Sequence, residues 1–569
     1  MGVLRQRWLG RVGYLEALDL QDALYRGTAD HLLLLEHPPV YTLGASGDPA
    51  HVLVDPAAVG AEMHRASRGG DVTYHGPGQL VGYPILTVPG RRGGGMADTV
   101  VYVRSVEQLI IDTLNELGLA DVGRVERYPG VWVEPQGHQP RKIAAIGVRL
   151  SRGRSMHGFA LNVDPDLSMF DHIVPCGIEE FGVTSLAAEG CHVDMADVVE
   201  VVFDISQRIW GVDGVDRAAV TERVATSDIA PFTRGLGAGQ LVSPDRHMQP
   251  AGSATQVEGL TIGKRGPGGR MSKRLAQAGV EGGLAIDTRK PDWLKARANM
   301  GAQYRDLKRT MRSFELSTVC EEASCPNIFE CWGEGTATFL INGERCTRAC
   351  GFCHVDTRRP EPLDEDEPRR VAEAVAAMGL GHVVITAVAR DDLADGGASG
   401  FARSIEAIRQ KVPSAAVEVL ISDCRGDAEA LDVIFEARPD VMNHNLETVA
   451  RLQRAVRPSA GYARSLGVLA RAKSAGLVTK SGLIVGMGES TQEVESALAD
   501  LAAIGCDIVT IGQYLRPTTN HLPVHRWVEP AEFQLYRELG AKLGIGHVEA
   551  SPLTRSSYHA GSAARSVSA

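Results

Sequence analysis

The sequence predicts two α/β domains joined by a linker: a mixed α/β domain first, then a parallel βα barrel, full or partial. Three observations predict this. At 569 residues the chain exceeds one hydrophobic core, because cores stop growing beyond about 250–300 residues. From residue 339 onward strand and helix alternate at roughly 30-residue spacing, the period of a βαβ unit. Between these halves GLGAGQ, QPAGSATQ and GKRGPGGR replace periodicity with Gly, Pro and small polar residues, the composition of a flexible linker. The expected segments are 1–215, a linker over 216–285, and 286–569.

The opening MGVLRQRWLG carries Arg5, Arg7 and Arg11 but lacks the serines of a transit peptide; it reads as a first strand. HLLLLEH, QLVGYPILTV, VWVEP and KIAAIGVRL follow as strands, and VEQLIIDTLNELGL as a helix. In the second half ATFLING, HVVITAV, AVEVLIS, VMNHNLE, LVTKSGLIVGM, DIVTIGQYL and GHVEASPL read as strands. PRRVAEAVAAMGL, SLGVLARAKSAGL and TQEVESALADLAAIG read as helices between them. Right-handed crossovers make such a sheet parallel, and barrel chemistry belongs at the C-terminal strand ends. Arg390, Asp391, Asp392, Asn443, His444, Asn445 and Gln513 stand there.

A net charge of −11, with no basic excess in either half, argues against nucleic acid as a partner. No apolar run approaches the ~20 residues of a membrane span, so no membrane partner is expected. Of ten cysteines, six fall within 320–353. One tight cluster in a large chain reads as metal or cluster ligation in a reducing, cytoplasmic setting, not as a disulfide scaffold.

Cys346, Cys350 and Cys353 form C-T-R-A-C-G-F-C directly after the first barrel strand. Thiolates bind iron–sulfur clusters, and a cubane normally takes four. Three on one loop leave the fourth iron open to chelate S-adenosyl-L-methionine and pass it one electron. A zinc site is the alternative, but it usually wants four ligands from paired knuckles. Upstream, Cys320, Cys325 and Cys331 form a second triplet in V-C-E-E-A-S-C-P-N-I-F-E-C-W, read as a second cluster.

With these triplets the sequence from about Arg289 to Ala560 resembles lipoyl synthase, a radical-AdoMet family; the match includes AVARDDLADGGA, NHNLET, GMGES, QYLRP and RSSYHA. The resemblance implies two 4Fe-4S clusters, with Ser557 as the fourth ligand of the auxiliary one. It further implies an electron donor, and a labile cluster consumed as the source of two inserted sulfurs. Arg390, Asn445, Glu447, Gly486, Gly488 and Glu489 are the residues it suggests for holding AdoMet or substrate. A biotin-synthase-like enzyme is the nearest chemical alternative, and an iron–sulfur scaffold the alternative of another class.

In the first half RGGDVTYHGPGQL is glycine-rich, yet it lacks both the P-loop lysine pattern and a clean G-x-G-x-x-G. Cys176 alone, in VPCGI, reads as a core thiol. With RKIAAIGVRL and MHGFALNV, these stretches resemble octanoyl-acyl carrier protein:protein octanoyltransferase over nearly all of residues 1–212. That resemblance implies a biotin/lipoate protein ligase-like α/β domain, with Cys176 as nucleophile and Lys142 as the ammonium that keeps it ionised. It implies an acyl channel lined by Arg68, Gly69, Gly70, Asp71, Val72, Thr73, Tyr74 and His75, by Ala145, Ile146 and Gly147, and by Gly158, Phe159 and Ala160. The implied partners are octanoyl-acyl carrier protein and lipoyl-accepting domains of 2-oxoacid dehydrogenase E2 subunits and the glycine cleavage H protein. Cys191, Cys424 and Cys506 lack partners at ligand spacing and are expected to be structural.

Overall fold

The computed structural model describes residues 3–88, 98–178, 180–210, 214–221 and 269–295, scattered positions from 296 to 335, and residues 336–568. The chain divides into two compact units, Met1–Val220 and Thr221–Ala569.

The first unit is built on an eight-stranded mixed sheet. Its order is β11 (Val215–Ala219), β1 (Leu4–Arg11), β2 (Asp30–Glu36), β6 (Gln79–Ile85), β10 (Arg154–Asn162), β9 (Arg141–Ser151), β8 (Tyr128–Val133) and β7 (Val122–Val125). The opening arginine-rich segment is indeed a strand, parallel to β2. Helix Thr99–Glu116 starts where Asp98 accepts from the amides of Val100 and Val101, both at 3.1 Å. That helix and Met195–Trp210 contribute Leu109, Leu114, Val202 and Phe203 to the buried core that includes Leu32, Leu80 and Ile143. A second sheet of β4 (Glu62–Arg65), β3 (Val40–Leu43) and β5 (Val72–His75) was not foreseen.

The linker expectation needs correction at both ends. Residues 215–219 form β11, paired in parallel with β1, because an edge strand needs no long apolar run to pair. At the other end Gly269–Gln277 is helical, and Val280 packs where a Cβ on Gly488 would stand, 2.5 Å away. Residues 222–268 lie outside the described residues.

The second unit carries a sheet in strict sequence order: β12 (Ser317–Thr318), β13 (Thr336–Ile341), β14 (His382–Ala387), β15 (Ala416–Leu420), β16 (Val441–Asn443), β17 (Thr479–Val485), β18 (Ile508–Gln513) and β19 (His547–Ala550). β13 to β19 are all parallel. Among the described residues the order does not close on itself, which selects the partial barrel. The sheet is nonetheless curled, because the C-terminal helix Ala560–Ser568 touches β14, β18 and β19 together. Helix Thr491–Ala503 opens with a capping box: Ser490 Oγ accepts from the Glu493 amide at 3.2 Å, and the Glu493 carboxylate accepts from the Ser490 amide at 2.9 Å.

Register assigns the two faces of this sheet. Val383, Ile385, Val417, Val419 and Met442 alternate onto one buried face. His382, Glu418, Asn443 and Lys480 share the other. Lys480 Nζ donates to Glu418 Oε1 at 2.9 Å, with both side chains at zero exposure. Burying a charged pair requires that each charge meet its partner, as these two do.

Candidate functional sites

A cavity of about 440 Å³ opens in the first unit, within the size class of small-molecule sites. Three separate stretches build it. β9 and β10 pair antiparallel with Gly158 opposite Gly147, Phe159 opposite Ile146 and Ala160 opposite Ala145, and all six line the cavity. Arg68, Gly69, Gly70, Asp71, Thr73 and His75 line another wall. Glycine is required where strands close: a Cβ on Gly158 would stand 2.1 Å from the Gly82 carbonyl oxygen.

Val72 and Tyr74, expected along the channel, face away from it. β5 alternates its side chains, and these two enter a separate core with Tyr41, Leu43 and Phe170. The sequence reading also missed Tyr14, Tyr83 and Tyr128, which line the cavity; they come from a helix and strands without motif character.

Cys176 and Lys142 both face this cavity. Cys176 sits in the tight turn Pro175–Gly177 with φ 57° and ψ 18°, a left-handed conformation that costs a non-glycine residue about 1–3 kcal/mol. The turn is tied down on both sides. The Val174 amide donates to the His51 carbonyl at 2.8 Å, and that of Ile178 to Pro175 at 3.0 Å. His51 Nδ1 pairs with the Asp71 carboxylate, and a Cβ on Gly177 would stand 2.9 Å from Asp71 Oδ2. No sequence signal marked His51. Lys142 is 6% exposed, and its ammonium lies 4.8 Å from the centre of the Trp132 ring.

The cavity histidines are neutral. Burial pulls His75 down to about 3, aided by His37, against the hydrogen bond to Gln79. Burial likewise takes His157 to about 4, aided by Arg68 and Arg149. His75 Nδ1 is 2.7 Å from Gln79 Oε1, and His157 Nε2 is 3.1 Å from Ser67 Oγ.

In the second unit Cys346, Cys350 and Cys353 lie on the loop after β13, all three unpaired. The loop is anchored along its length. The Cys346 amide donates to Asp356 at 2.8 Å, that of Gly351 to Val456 at 2.8 Å, and that of Leu522 to Gly351 at 2.9 Å. Arg348 braces it through a bidentate pair of 2.7 Å bonds to Asp391 and through Asp423 at 2.6 Å. Cys346 Sγ accepts from the amides of Arg348 and Ala389 at 3.4 and 3.3 Å. Burial pushes all three thiols up, Cys353 to about 12.

Among the described residues no three such side chains converge on one metal ion. Three unpaired thiols on one short loop suit a cubane, in which each thiolate caps a different iron. Asn445 adds a second sign: its Oδ1 is buried without a partner. Its Nδ2 donates to Glu447 at 3.0 Å and Ser556 at 2.8 Å, and the Glu447 carboxylate is close enough to raise Cys353 further. The residues present therefore fit a cluster with a polar ligand beside it.

Two expected ligand contacts are occupied by the protein itself. Arg390 donates to Asp392 at 2.9 Å, to Asn342 at 2.9 Å and to Glu361 at 3.1 Å, so it braces the start of the cysteine loop. Glu489 turns back to accept from the amides of Gly486 and Met487, which fixes Gly486 and Gly488 at φ 100° and 118°. Cys320, Cys325 and Cys331 lie outside the described residues. Asn327, between them, donates to the Leu553 carbonyl at 2.6 Å, four positions before Ser557. The Ser557 carbonyl accepts from the Ala560 amide at 3.4 Å. Cys191 and Cys506 donate to the carbonyls of Leu117 and Ile508 at 3.3 and 3.4 Å, and Cys424 is buried.

Comparison with known proteins matches both units. The lipoyl protein ligase A/B catalytic domain matches residues 13–205. The N-terminal domain of lipoyl synthase matches 273–325, and the radical SAM superfamily 341–501. A lipoyl synthase of Rubrobacter xylanophilus is 58% identical over 273 residues, 48% of this chain and 85% of its own. That of Mycobacterium ulcerans is 54% identical over 292 residues, 51% of this chain and 88% of its own. Among solved structures, a bipartite lipoate protein ligase of Thermoplasma acidophilum aligns over 39% of this chain and 89% of its own, at 20% identity and TM-score 0.33. No helix among the described residues is long and apolar enough to cross a membrane. Through its second unit the chain belongs to the lipoyl synthase family of radical SAM enzymes, and it carries this enzyme fused behind a lipoate protein ligase/octanoyltransferase catalytic domain.

Proposed function

We propose that the chain carries out two consecutive steps of lipoate biosynthesis: octanoyl transfer to a protein lysine, then insertion of two sulfurs at C6 and C8. What supports the first step is one observation. Cys176, held in a left-handed turn, shares a cavity with Lys142 and the paired glycine strands.

In the first step the Cys176 thiolate attacks the thioester carbonyl of octanoyl-acyl carrier protein. The C–S bond to the carrier breaks, the carrier thiol leaves with a proton from the Lys142 ammonium, and the acyl group rests on sulfur. Main-chain N–H groups around Gly147 and Gly158 are suited to the oxyanion. The acceptor lysine then attacks the acyl-cysteine, the amide forms, and Lys142 takes the proton. Acceptors of this chemistry are the lipoyl domains of 2-oxoacid dehydrogenase E2 subunits and the glycine cleavage H protein.

In the second unit Cys346, Cys350 and Cys353 would hold one 4Fe-4S cluster, and Asn445 and Glu447 would help hold S-adenosyl-L-methionine. With an electron donor, the cluster and S-adenosyl-L-methionine would supply hydrogen-abstracting radical chemistry there. Cys320, Cys325, Cys331 and Ser557 would hold an auxiliary 4Fe-4S cluster, which would supply the sulfur. Arg390, Gly486, Gly488 and Glu489 act indirectly, by shaping the loops that carry these groups.

The test is anaerobic. Octanoyl-acyl carrier protein, apo-acceptor, S-adenosyl-L-methionine and reductant are supplied, and the acceptor is weighed. Cys176→Ala should block octanoylation yet still add sulfur to a pre-octanoylated acceptor, and Cys350→Ala should do the reverse. An acceptor octanoylated at the wild-type rate by Cys176→Ala would refute the acyl-enzyme.

A further inference from the structure

Arg68 stands out among the cavity groups because its charge is unanswered. It is 8% exposed, and among the described residues no carboxylate lies within ion-pair distance of it. Its Nη2 donates to the carbonyl and hydroxyl of Thr42 at 2.7 and 2.8 Å, and its Nη1 to the Gly69 carbonyl at 3.1 Å. These neutral acceptors leave a full positive charge buried, and Nε is buried with no partner at all. A buried ion without a counter-ion is expensive.

The pocket around this guanidinium is built for it. A Cβ on Gly44 would stand 2.8 Å from Nη1, and one on Gly147 2.8 Å from Cδ. Cys176 lines the same cavity. Burial pulls the guanidinium below its ordinary range, and Cys176 is the strongest influence opposing that fall.

The other groups facing Cys176 cannot do this work. Asp71 is paired to His51. His75 and His157 are neutral, and burial keeps Tyr14 and Tyr83 protonated. Arg127 is exposed. Lys142 is the remaining cation, and the proposed reaction asks it to be an ammonium in one half and a neutral base in the other. Arginine never deprotonates in proteins.

We propose that Arg68 is the permanent cation that holds Cys176 as a thiolate, which frees Lys142 to exchange its proton with the acceptor amine. This deepens the proposed acyl transfer and rests on Cys176 being its nucleophile. Arg68 is a positioning residue in this scheme; Lys142 meets the reacting amine.

The test follows Cys176 alkylation by iodoacetamide against pH in the full chain, quantified on the Cys176 peptide by mass spectrometry. Wild type should label with a midpoint well below the ~8.5 of a free thiol. Arg68→Gln should raise that midpoint by about one to two pH units and slow labelling at pH 7 about tenfold or more. Arg68→Lys keeps the charge without the fork, so its midpoint should stay near wild type. It is the arm that decides the matter should the glutamine variant misfold, because a midpoint equal to a free thiol's would then overturn the proposal. Lys142→Met should leave the midpoint near wild type while the acyl-enzyme forms and fails to discharge to acceptor. A low wild-type midpoint unchanged in Arg68→Gln overturns the role of Arg68 and leaves Cys176 standing. A shift in Lys142→Met alone reverses the two roles. A wild-type midpoint at the free-thiol value, with no acyl-enzyme on mixing with octanoyl thioester, removes the underlying reading instead.

Discussion

Lys480 and Glu418 offer the sharpest test of how the partial barrel is held. Lys480 Nζ lies 2.9 and 3.2 Å from the two Glu418 oxygens, and neither side chain is exposed. Glu418 also accepts from Asn443 Nδ2 at 3.1 Å and lies 3.5 Å from His382 Nε2. Lys480→Met keeps most of the side-chain volume and leaves the carboxylate buried, so it should cost about 3–5 kcal/mol. Native-state hydrogen exchange on peptides spanning β15 and β17 should then lose roughly two to four powers of ten in protection, at 1.4 kcal/mol for each. Removing both partners, Lys480→Met with Glu418→Leu, should recover most of that loss, since no unpaired charge is left. The coupling must also depend on pH. Burial raises the Glu418 carboxyl, but Lys480 and His382 outweigh it and hold it below the usual range. A depressed carboxylate stabilises above its unfolded value of about 4.3 and loses that contribution as pH falls below it. Additive single losses, or a coupling that does not weaken at all as pH falls from about 5 into the acid range, would refute the reasoning.

Three further outcomes are expected. Gly158→Ala would drive a methyl to 2.1 Å from the Gly82 carbonyl and spread β6 from β10, lowering octanoyl transfer about a hundredfold while sulfur insertion into pre-octanoylated acceptor is unchanged; both are read by acceptor mass. The imidazoles of His75 and His157, held to about 3 and about 4 by burial, should stay neutral by NMR at pH 5.5, near-neutral limbs of the acyl-transfer profile then belonging to other groups. Because the unfolded chain protonates these rings near pH 6.5 and the folded chain does not, the first unit should lose stability as pH falls from there toward 4. Arg348→Lys cannot reproduce the fork to Asp391 and the bond to Asp423, so anaerobically reconstituted protein should lose iron faster on desalting, measured by iron and sulfide assay.

The fold of the second unit was legible because buried parallel strands are continuous apolar runs, and one of the helices between them, Thr491–Ala503, opens on a capping box. The first unit was harder. β3 to β5 are four residues each, too short to signal by periodicity, and β11 pairs as an edge without an apolar run. The acyl stretches were legible as a set, yet strand alternation removed Val72 and Tyr74 from the channel, and a motif read as a continuous string cannot show that. Arg390 and Glu489 make the complementary point. A strand-end position places a polar residue near a site, but only three-dimensional partners tell whether it reaches a ligand or, as here, braces the backbone.

The same distinction explains why a lone cysteine was the least readable of the site residues. Cys346, Cys350 and Cys353 announce themselves by spacing, since a cluster needs several thiols on one short loop. The protein gives them burial that pushes their thiols up, an environment that suits them only when iron supplies positive charge. Cys176 has no spacing to betray it. It is partly exposed, as those three are, but it sits on a strained turn opening into a cavity that already contains Arg68 and Lys142. A nucleophile must be ionised before its substrate arrives, so its cations have to be built into the fold. A cluster ligand can wait for its metal. The two cysteine chemistries proposed for this chain are therefore told apart by where the compensating charge would come from, and only the first of these sources is written in side chains far from the cysteine in sequence.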